Sequence, residues 1–551
     1  MVKNFSNWLW RNWKKLLFLT VLVFIVYFNS LGNDFVSDDI AAILNNKNLG
    51  DFGEVLSRPL AFVRPLLYFF AYKIGGLNPL PFRMIDLLFH LGNVYLIYIL
   101  VSRLLNEKVA FWTASLFAAH PVLVESVTWI SGGIHGQYAF FILLALFFYS
   151  EYDISSPARY EKFLSETKRR WLVFSLLSSL LALASSEKAI ILAPLFLLFF
   201  LCFKDWRKLW PTLIPFWSIG FLFGILYLGA IGPRLETLQT QFYQPPQTIN
   251  PLLQIPVAIT SYLQLIIFPK DLTLYHSEMV FSQGEYLLRL AVFILFLGLT
   301  IWLFFKKRPL SFWPGLFIIG LLPMLTPLGI SWIVAERYVY LSSLGILVLI
   351  GLLFQKAEKV IGSKTVSVVF AVVLILLSGR TMARNRDWQN QDTLWLATAK
   401  TSPSSPQNHN NLGDYYGRQG DLDKAAEEFL KAIELQSNYG DAYHNLANTY
   451  GQMGKIDLAI ENYQKALEFN PGLWQSRQNL AAIYFGQEKF KEASEEMRKA
   501  IEISPANPNL RLVSAIIYLK MGQKNEAQAE LKKILELDPE NQQAKELLTN
   551  F

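Results

Sequence analysis

Long apolar runs crowd the chain before about residue 380, and charged amphipathic sequence follows them. A run of roughly 17 to 25 apolar residues can satisfy its own backbone in hydrocarbon only as a helix, because the bilayer core offers no water to an open strand edge. The first two thirds of the chain is therefore expected to be an all-α, polytopic bundle. With 53% hydrophobic and 15% aromatic residues, the composition excludes a string of ordinary soluble domains. Candidate spans lie near 16–31, 83–104, 109–124, 135–150, 171–185, 187–203, 211–231, 286–305, 311–330, 335–355 and 365–379, about eleven in all. Segment 255–268 is apolar enough to enter the bilayer, but it contains Pro256 and ends at Pro269. It reads as one further re-entrant or interfacial helix, since irregular backbone is tolerated at membrane depth only where protein covers it.

The net charge of +7 does not point to nucleic acid, because the basic residues concentrate in short loops between apolar runs and report orientation instead. Arg103 and Lys108; Lys162, Lys168, Arg169 and Arg170; Lys204, Arg207 and Lys208; Lys306, Lys307 and Arg308; and Lys356, Lys359 and Lys364 mark cytoplasmic loops, together with the N-terminus. That N-terminus, with Lys3, Arg11, Lys14 and Lys15 ahead of an apolar run and no small-residue cleavage site, reads as a retained first span. Alternation then places the first large loop, 32–82, and everything after Gly379 on the extracytoplasmic side: the periplasmic face of a bacterial inner membrane, or the lumen of the endoplasmic reticulum in a eukaryote. The single cysteine, Cys202, allows neither an internal disulfide nor a cysteine zinc cluster.

The C-terminal third repeats. Asn411-Leu412-Gly413, Asn445-Leu446-Ala447 and Asn479-Leu480-Ala481 recur every 34 residues, as do Ala425, Ala459, Ala493 and Ala527. This period is that of tetratricopeptide repeats, about four of them over 406–541. The division expected from composition is a membrane domain over 1–379, a joint and degenerate repeat helix over 380–405, and a repeat domain over 406–551. Such an α-solenoid presents a surface for an acceptor protein or peptide, or serves only as a stabilising appendage.

Candidate chemistry begins at Asp38 and Asp39, just beyond the first span. Adjacent aspartates there fit either a general base or a cap on the short helix starting near Ile40. The same loop carries Arg58, Arg64, Lys73 and Arg83 on the side where basic residues are normally depleted. A phosphate head group would account for them, as would contact with anionic membrane lipid. His120, Glu125 and His135 fit a polar pocket, a divalent site for Mg or Mn, or a hydrogen-bonded cap. Glu187-Lys188 and Glu336-Arg337, with Tyr340 nearby, place ionisable groups where spans meet the outer face; such groups are paired or functional.

Several strings together carry a resemblance: Phe35-Val36-Ser37-Asp38-Asp39, Arg64-Pro65-Leu66, His120-Pro121 through Glu125, Ala335-Glu336-Arg337-Tyr338-Val339-Tyr340 through Gly345, and Arg380 through Trp388. In this order they resemble the TMTC family of transmembrane, tetratricopeptide-repeat O-mannosyltransferases. The resemblance implies a GT-C-like bundle that takes mannose or another hexose from a polyprenyl-phosphate donor and passes it, with inversion, to a Ser or Thr hydroxyl. It matches Asp38 and Asp39 to the acidic pair of the first outer loop. Arg58, Arg64, Arg83, Lys188 and Arg337 would then meet the donor phosphate, with His120, Glu125, His135, Glu187, Glu336 and Tyr340 lining the pocket. The shorter chain, with its few repeats, is similar to a prokaryotic relative of the animal proteins. No nucleic-acid partner is expected. Two other functions fit the pattern of spans and repeats: a non-catalytic scaffold for protein assembly, and an O-antigen-ligase-like enzyme.

Overall fold

A computed structural model describes the backbone of residues 2–154, 166–203, 210–241, 251–277, 279, 281–325 and 334–549, and every regular element among them is helical. Lys162 and the basic loop of Lys204, Arg207 and Lys208 lie outside the described residues. Six helical stretches are long and apolar enough to cross a membrane: Trp10–Ser30, Pro79–Leu104, Ile130–Tyr152, Pro211–Gly229, Gln283–Lys306 and Ser363–Asp387. The other expected spans are helices too, running Glu107–Ala119, Glu166–Ser185, Leu192–Phe203, Arg308–Leu321 and Ser343–Ile361. The expected re-entrant segment is the helix Pro251–Ile267, with Pro256 inside it.

The chain divides into two compact units, one of Met1–Ile231 with Thr248–Thr401, the other of Gly232–Gln247 with Ser402–Phe551. The last apolar helix runs unbroken to Asp387, so a boundary at 379 falls inside it and the helix Gln391–Thr401 stays with the first unit. Within that unit, the first outer loop is folded. Its helices Phe52–Leu56 and Val63–Gly75 lie over a small core of Phe35, Ile43, Leu49, Tyr68, Ala71, Phe82 and Ile130. The Phe82 ring meets Phe35 and Tyr68 edge-on at 5.7 and 5.5 Å, an arrangement that suits the quadrupoles of aromatic faces and edges.

In the second unit four helix pairs follow one another, with first helices starting at Pro406, Gly440, Trp474 and Pro508. Ala425, Ala459, Ala493 and Ala527 are fully buried, as the close crossing of paired helices requires. An ion pair recurs at one register of the repeat: His409 with Glu428 at 2.6 Å, Arg477 with Glu496 at 2.8 Å and Arg511 with Glu530 at 2.6 Å, each joining the two helices of a pair. The turn between paired helices takes a left-handed residue. Gly420, Gly454 and Gly522 supply it at φ 80°, 74° and 74°, whereas the third repeat uses Glu488 at φ 60°. A side chain there costs roughly 1–2 kcal/mol, against which glycine pays roughly 0.5–1 kcal/mol of chain entropy. Glu488→Gly is therefore expected to stabilise the repeat unit by up to about 1 kcal/mol in chemical unfolding, and Gly454→Glu to destabilise it.

Candidate functional site

Several of the polar groups singled out in the sequence surround Thr128 to Ser131, where the chain leaves the four-residue helix Val124–Val127, passes through Thr128 and Trp129, and enters the 3-10 turn Ile130–Gly133 ahead of the next apolar helix. Each of these four residues holds a different part of the site. The Thr128 carbonyl accepts from Arg83, and its hydroxyl donates to Asn385 Oδ1 at 2.8 Å. Trp129 stacks on Trp388 at 5.5 Å and lies under the Arg337 guanidinium at 5.4 Å. The Ile130 carbonyl accepts from Tyr68 Oη at 3.4 Å, and the Ser131 N–H donates to Asp39 Oδ1 at 2.8 Å.

The two adjacent aspartates have different environments. Asp39 is fully buried; its second oxygen accepts from Val36 N–H at 3.3 Å, so its carboxylate closes the loop onto itself and onto Ser131. It does not cap the helix at Ile40, since no side-chain bond reaches that helix. Burial pushes its proton affinity above the usual aspartate range, opposed by the Ser131 N–H and by Arg83. Asp38 is exposed and makes no hydrogen bond among the described residues. Ser37, at φ 55°, turns the chain between them, a left-handed conformation that costs a serine roughly 1–2 kcal/mol.

The cations sort equally clearly. Arg58 is exposed and pairs with Glu54 at 2.6 Å, away from this cluster. Arg83 is buried and spends its guanidinium on the carbonyls of Asn33 at 3.1 Å, Asp34 at 2.5 Å and Thr128, which pins the start of the outer loop. Arg64 donates through Nε and Nη2 to the Tyr68 hydroxyl at 3.1 and 2.9 Å and to no carboxylate, although Asp39 and Asp86 lie within electrostatic reach. Lys188 sits over the Tyr338 ring at 5.0 Å, and Arg337 over the same ring at 4.9 Å. His135 bonds Tyr138 Oη at 3.3 Å and packs on the Tyr338 ring at 5.6 Å. Lys188 and Arg337 thus meet on a ring that borders His135, while Arg64 lies over Tyr68.

Glu336 and Arg337 do not neutralise each other. Arg337 takes Glu125 through its own N–H at 2.7 Å and Nη1 at 2.5 Å, while Glu336 takes Arg384 at 3.2 Å, which also holds Asp387 at 3.0 Å. His120 is used locally: Nδ1 accepts from Val122 N–H at 3.3 Å, so Nε2 carries the proton and donates to the Ile266 carbonyl at 2.8 Å. His120 and Glu125 therefore do not share a partner. Tyr340 lies in the core, its hydroxyl on His90 at 2.8 Å and Asn93 at 3.1 Å. Glu187 is half-buried at the start of a short helix and acts electrostatically on Tyr138. Among the described residues no group of three His, Cys, Asp or Glu side chains is placed to hold a metal ion.

Two participants escaped the sequence reading. Asp86, one turn beyond Arg83 on Pro79–Leu104, is buried and accepts from Gln137 Nε2 at 3.1 Å. Gly133 makes room for it, because a Cβ there would collide with the carboxylate. A lone carboxylate inside an apolar run was the available signal. Asn385, in the string read as a joint, is the other.

Tetratricopeptide-repeat family models match residues 404–471, 444–508 and 484–551. Over 77% of its length the chain is similar to the protein O-mannosyl-transferase TMTC3 of Homo sapiens, at 25% identity and 52% of that protein, and to its Mus musculus counterpart at 25% and 51%. A protein O-mannosyl-transferase of Caenorhabditis elegans is 24% identical over 77% of this chain and 63% of its own. The chain thus spans about half the length of the first curated relatives it matches. The crystal structure of MamA protein aligns with 26% of this chain and 79% of its own at 23% identity, with a TM-score of 0.24.

The buried and exposed pairs predict opposite outcomes. Glu125→Ala leaves Arg337 buried without its carboxylate and is expected to cost about 3–5 kcal/mol. Arg58→Ala removes an exposed pair and is expected to change stability by less than about 1 kcal/mol. Thermal unfolding of the two purified variants separates them.

Proposed function

We propose, starting from the likeness to protein O-mannosyl-transferases, that this chain transfers a hexose from a polyprenyl-phosphate donor to a Ser or Thr hydroxyl at the extracytoplasmic face of the membrane. The observation that carries the reading is the meeting of Lys188 and Arg337 on the Tyr338 ring, 5.6 Å from His135, with Arg64 on Tyr68, whose hydroxyl reaches the Ile130 carbonyl, and the Asp38–Asp39 loop hanging from Ser131 in the same stretch of chain. Arg64, Lys188 and Arg337 are partly exposed, and arginine gives an incoming phosphate bidentate hydrogen bonds. The adjacent apolar helices would lie against the lipid tail.

In this reading Asp38, exposed and at liberty to meet an acceptor, is the general base, and Asp39 holds it in place. Asp38 takes the proton of the acceptor hydroxyl, whose oxygen forms a bond to the anomeric carbon. The bond from that carbon to the phosphate oxygen breaks, its electron pair leaves with the polyprenyl phosphate, and one displacement inverts the configuration. Arg64 and Arg337 offset the charge gathering on the leaving phosphate, a contribution that is often the largest in such sites. The tetratricopeptide repeats would raise the effective concentration of an acceptor polypeptide. A scaffold function alone gives no reason for half-buried cations beside an exposed carboxylate.

Asp38→Asn is expected to lower sugar transfer by roughly 100-fold or more in a detergent-solubilised assay with a polyprenyl-phosphate hexose, with folding intact. Arg64→Gln should raise the donor KM as well as lower kcat. Wild-type turnover in Asp38→Asn would reject the assigned base.

The pH profile follows from Asp39. Its raised proton affinity means that, as pH falls, it protonates before an exposed aspartate would, and the anchor to Ser131 loosens. The acid limb of kcat is expected to lie above the ~3.9 of a free aspartate; a limb at or below that value contradicts the role given to Asp39.

A further inference from the structure

We infer that Asn385, near the end of the last apolar helix, is a positioning residue for the acidic pair, fixing the start of the first outer loop against the stretch from which Asp39 hangs. Asn385 is fully buried. Its Nδ2 donates to the Val26 carbonyl and to Asn29 Oδ1, both at 2.9 Å, and its Oδ1 accepts from the Thr128 hydroxyl at 2.8 Å. Its main-chain carbonyl accepts from Asn33 Nδ2 at 3.0 Å. One residue thus joins the end of the first helix, the opening of the outer loop and the Thr128 stretch.

Only a carboxamide fits this place. An aspartate would turn acceptor oxygens toward the Val26 carbonyl and Asn29 Oδ1, and an apolar side chain would take from Val26, Asn29 and the Thr128 hydroxyl the partner they have here. The two sides it joins bracket the acidic pair: Asn33 precedes Asp38 and Asp39 in the chain, and Thr128 precedes Ser131, whose N–H holds Asp39. Arg83 ties the same two sides together through the carbonyls of Asn33 and Thr128. Because Arg83 remains when Asn385 is removed, the loop stays attached and loses its fixed angle. An error of about 1 Å in placing a catalytic group costs roughly 100-fold in rate.

The kinetic part of this inference rests on the transferase reading; the structural part does not. The test uses the full chain in detergent, as Asn385→Ala and, separately, Thr128→Val, which deletes only the hydroxyl donor. Hydrogen exchange at the amides of Asp34, Asp39 and Ile40 is expected to speed up in both variants, with that of helix Pro79–Leu104 unchanged. The kcat for hexose transfer is expected to fall about 10- to 100-fold with the donor KM within about twofold. Unchanged exchange at those amides in a folded variant overturns the inference, and so does loss of protection spread evenly through the bundle. Should Asn385→Ala not fold, Thr128→Val decides by the same two readouts. Should the wild type transfer no hexose, the transferase reading fails and the exchange pattern alone decides the role of Asn385.

Discussion

Between the helix Val124–Val127 and the apolar helix that starts at Ile134, the chain passes through two non-helical residues, Thr128 and Trp129, and the 3-10 turn Ile130–Gly133. The stretch is buried, so backbone groups there that the helices leave unpaired must find partners inside the protein. They find them in Arg83, Tyr68 and Asp39, so the obligation to pair a few peptide groups brings a guanidinium, a phenol and a carboxylate to one place. The side chains of the same stretch recruit Asn385, Trp388 and Arg337. A single break in helical structure organises the outer loop, the last apolar helix and the Glu336–Arg337 turn.

Charge follows from the same geometry. A buried ion is tolerated when carbonyls or an opposite charge replace its water. Arg83 has three carbonyls, Arg337 has Glu125, and Arg384 has Glu336 and Asp387. Arg64 has a phenol, and Lys188 and Arg337 share the face of Tyr338. Arg83 and Arg384 are closed in, whereas Arg64, Lys188 and Arg337 stay partly exposed and are the cations the proposed phosphate would reach. The left-handed Ser37 turns the chain so that of two adjacent aspartates one is buried and the other faces outward.

The helices and the repeat array could be read from the chain because each depends on local pattern: apolar runs that must be helical in lipid, and alanines spaced for close helix crossings. Burial of Asp39 beside an exposed Asp38 could not, since it depends on the Ser37 torsion and on a backbone N–H supplied by Ser131. Glu336 and Arg337 look like a neighbouring pair in sequence, yet their partners, Arg384 and Glu125, lie far along the chain. Arg83 looks like a phosphate contact until its carbonyl cradle is seen. Asp86 was legible as a carboxylate inside an apolar run, whereas nothing in the residue type of Asn385 announces a node between three segments.

If Arg64, Lys188 and Arg337 form a phosphate site next to the acidic loop, polyprenyl phosphate must sit among them. An experimental structure of the chain with polyprenyl phosphate in a nanodisc tests it most directly. Phosphate density in contact with Arg64 and Arg337 beside His135 is expected. Phosphate seated elsewhere in the bundle, with those side chains still held by Tyr68 and Glu125 alone, would contradict it.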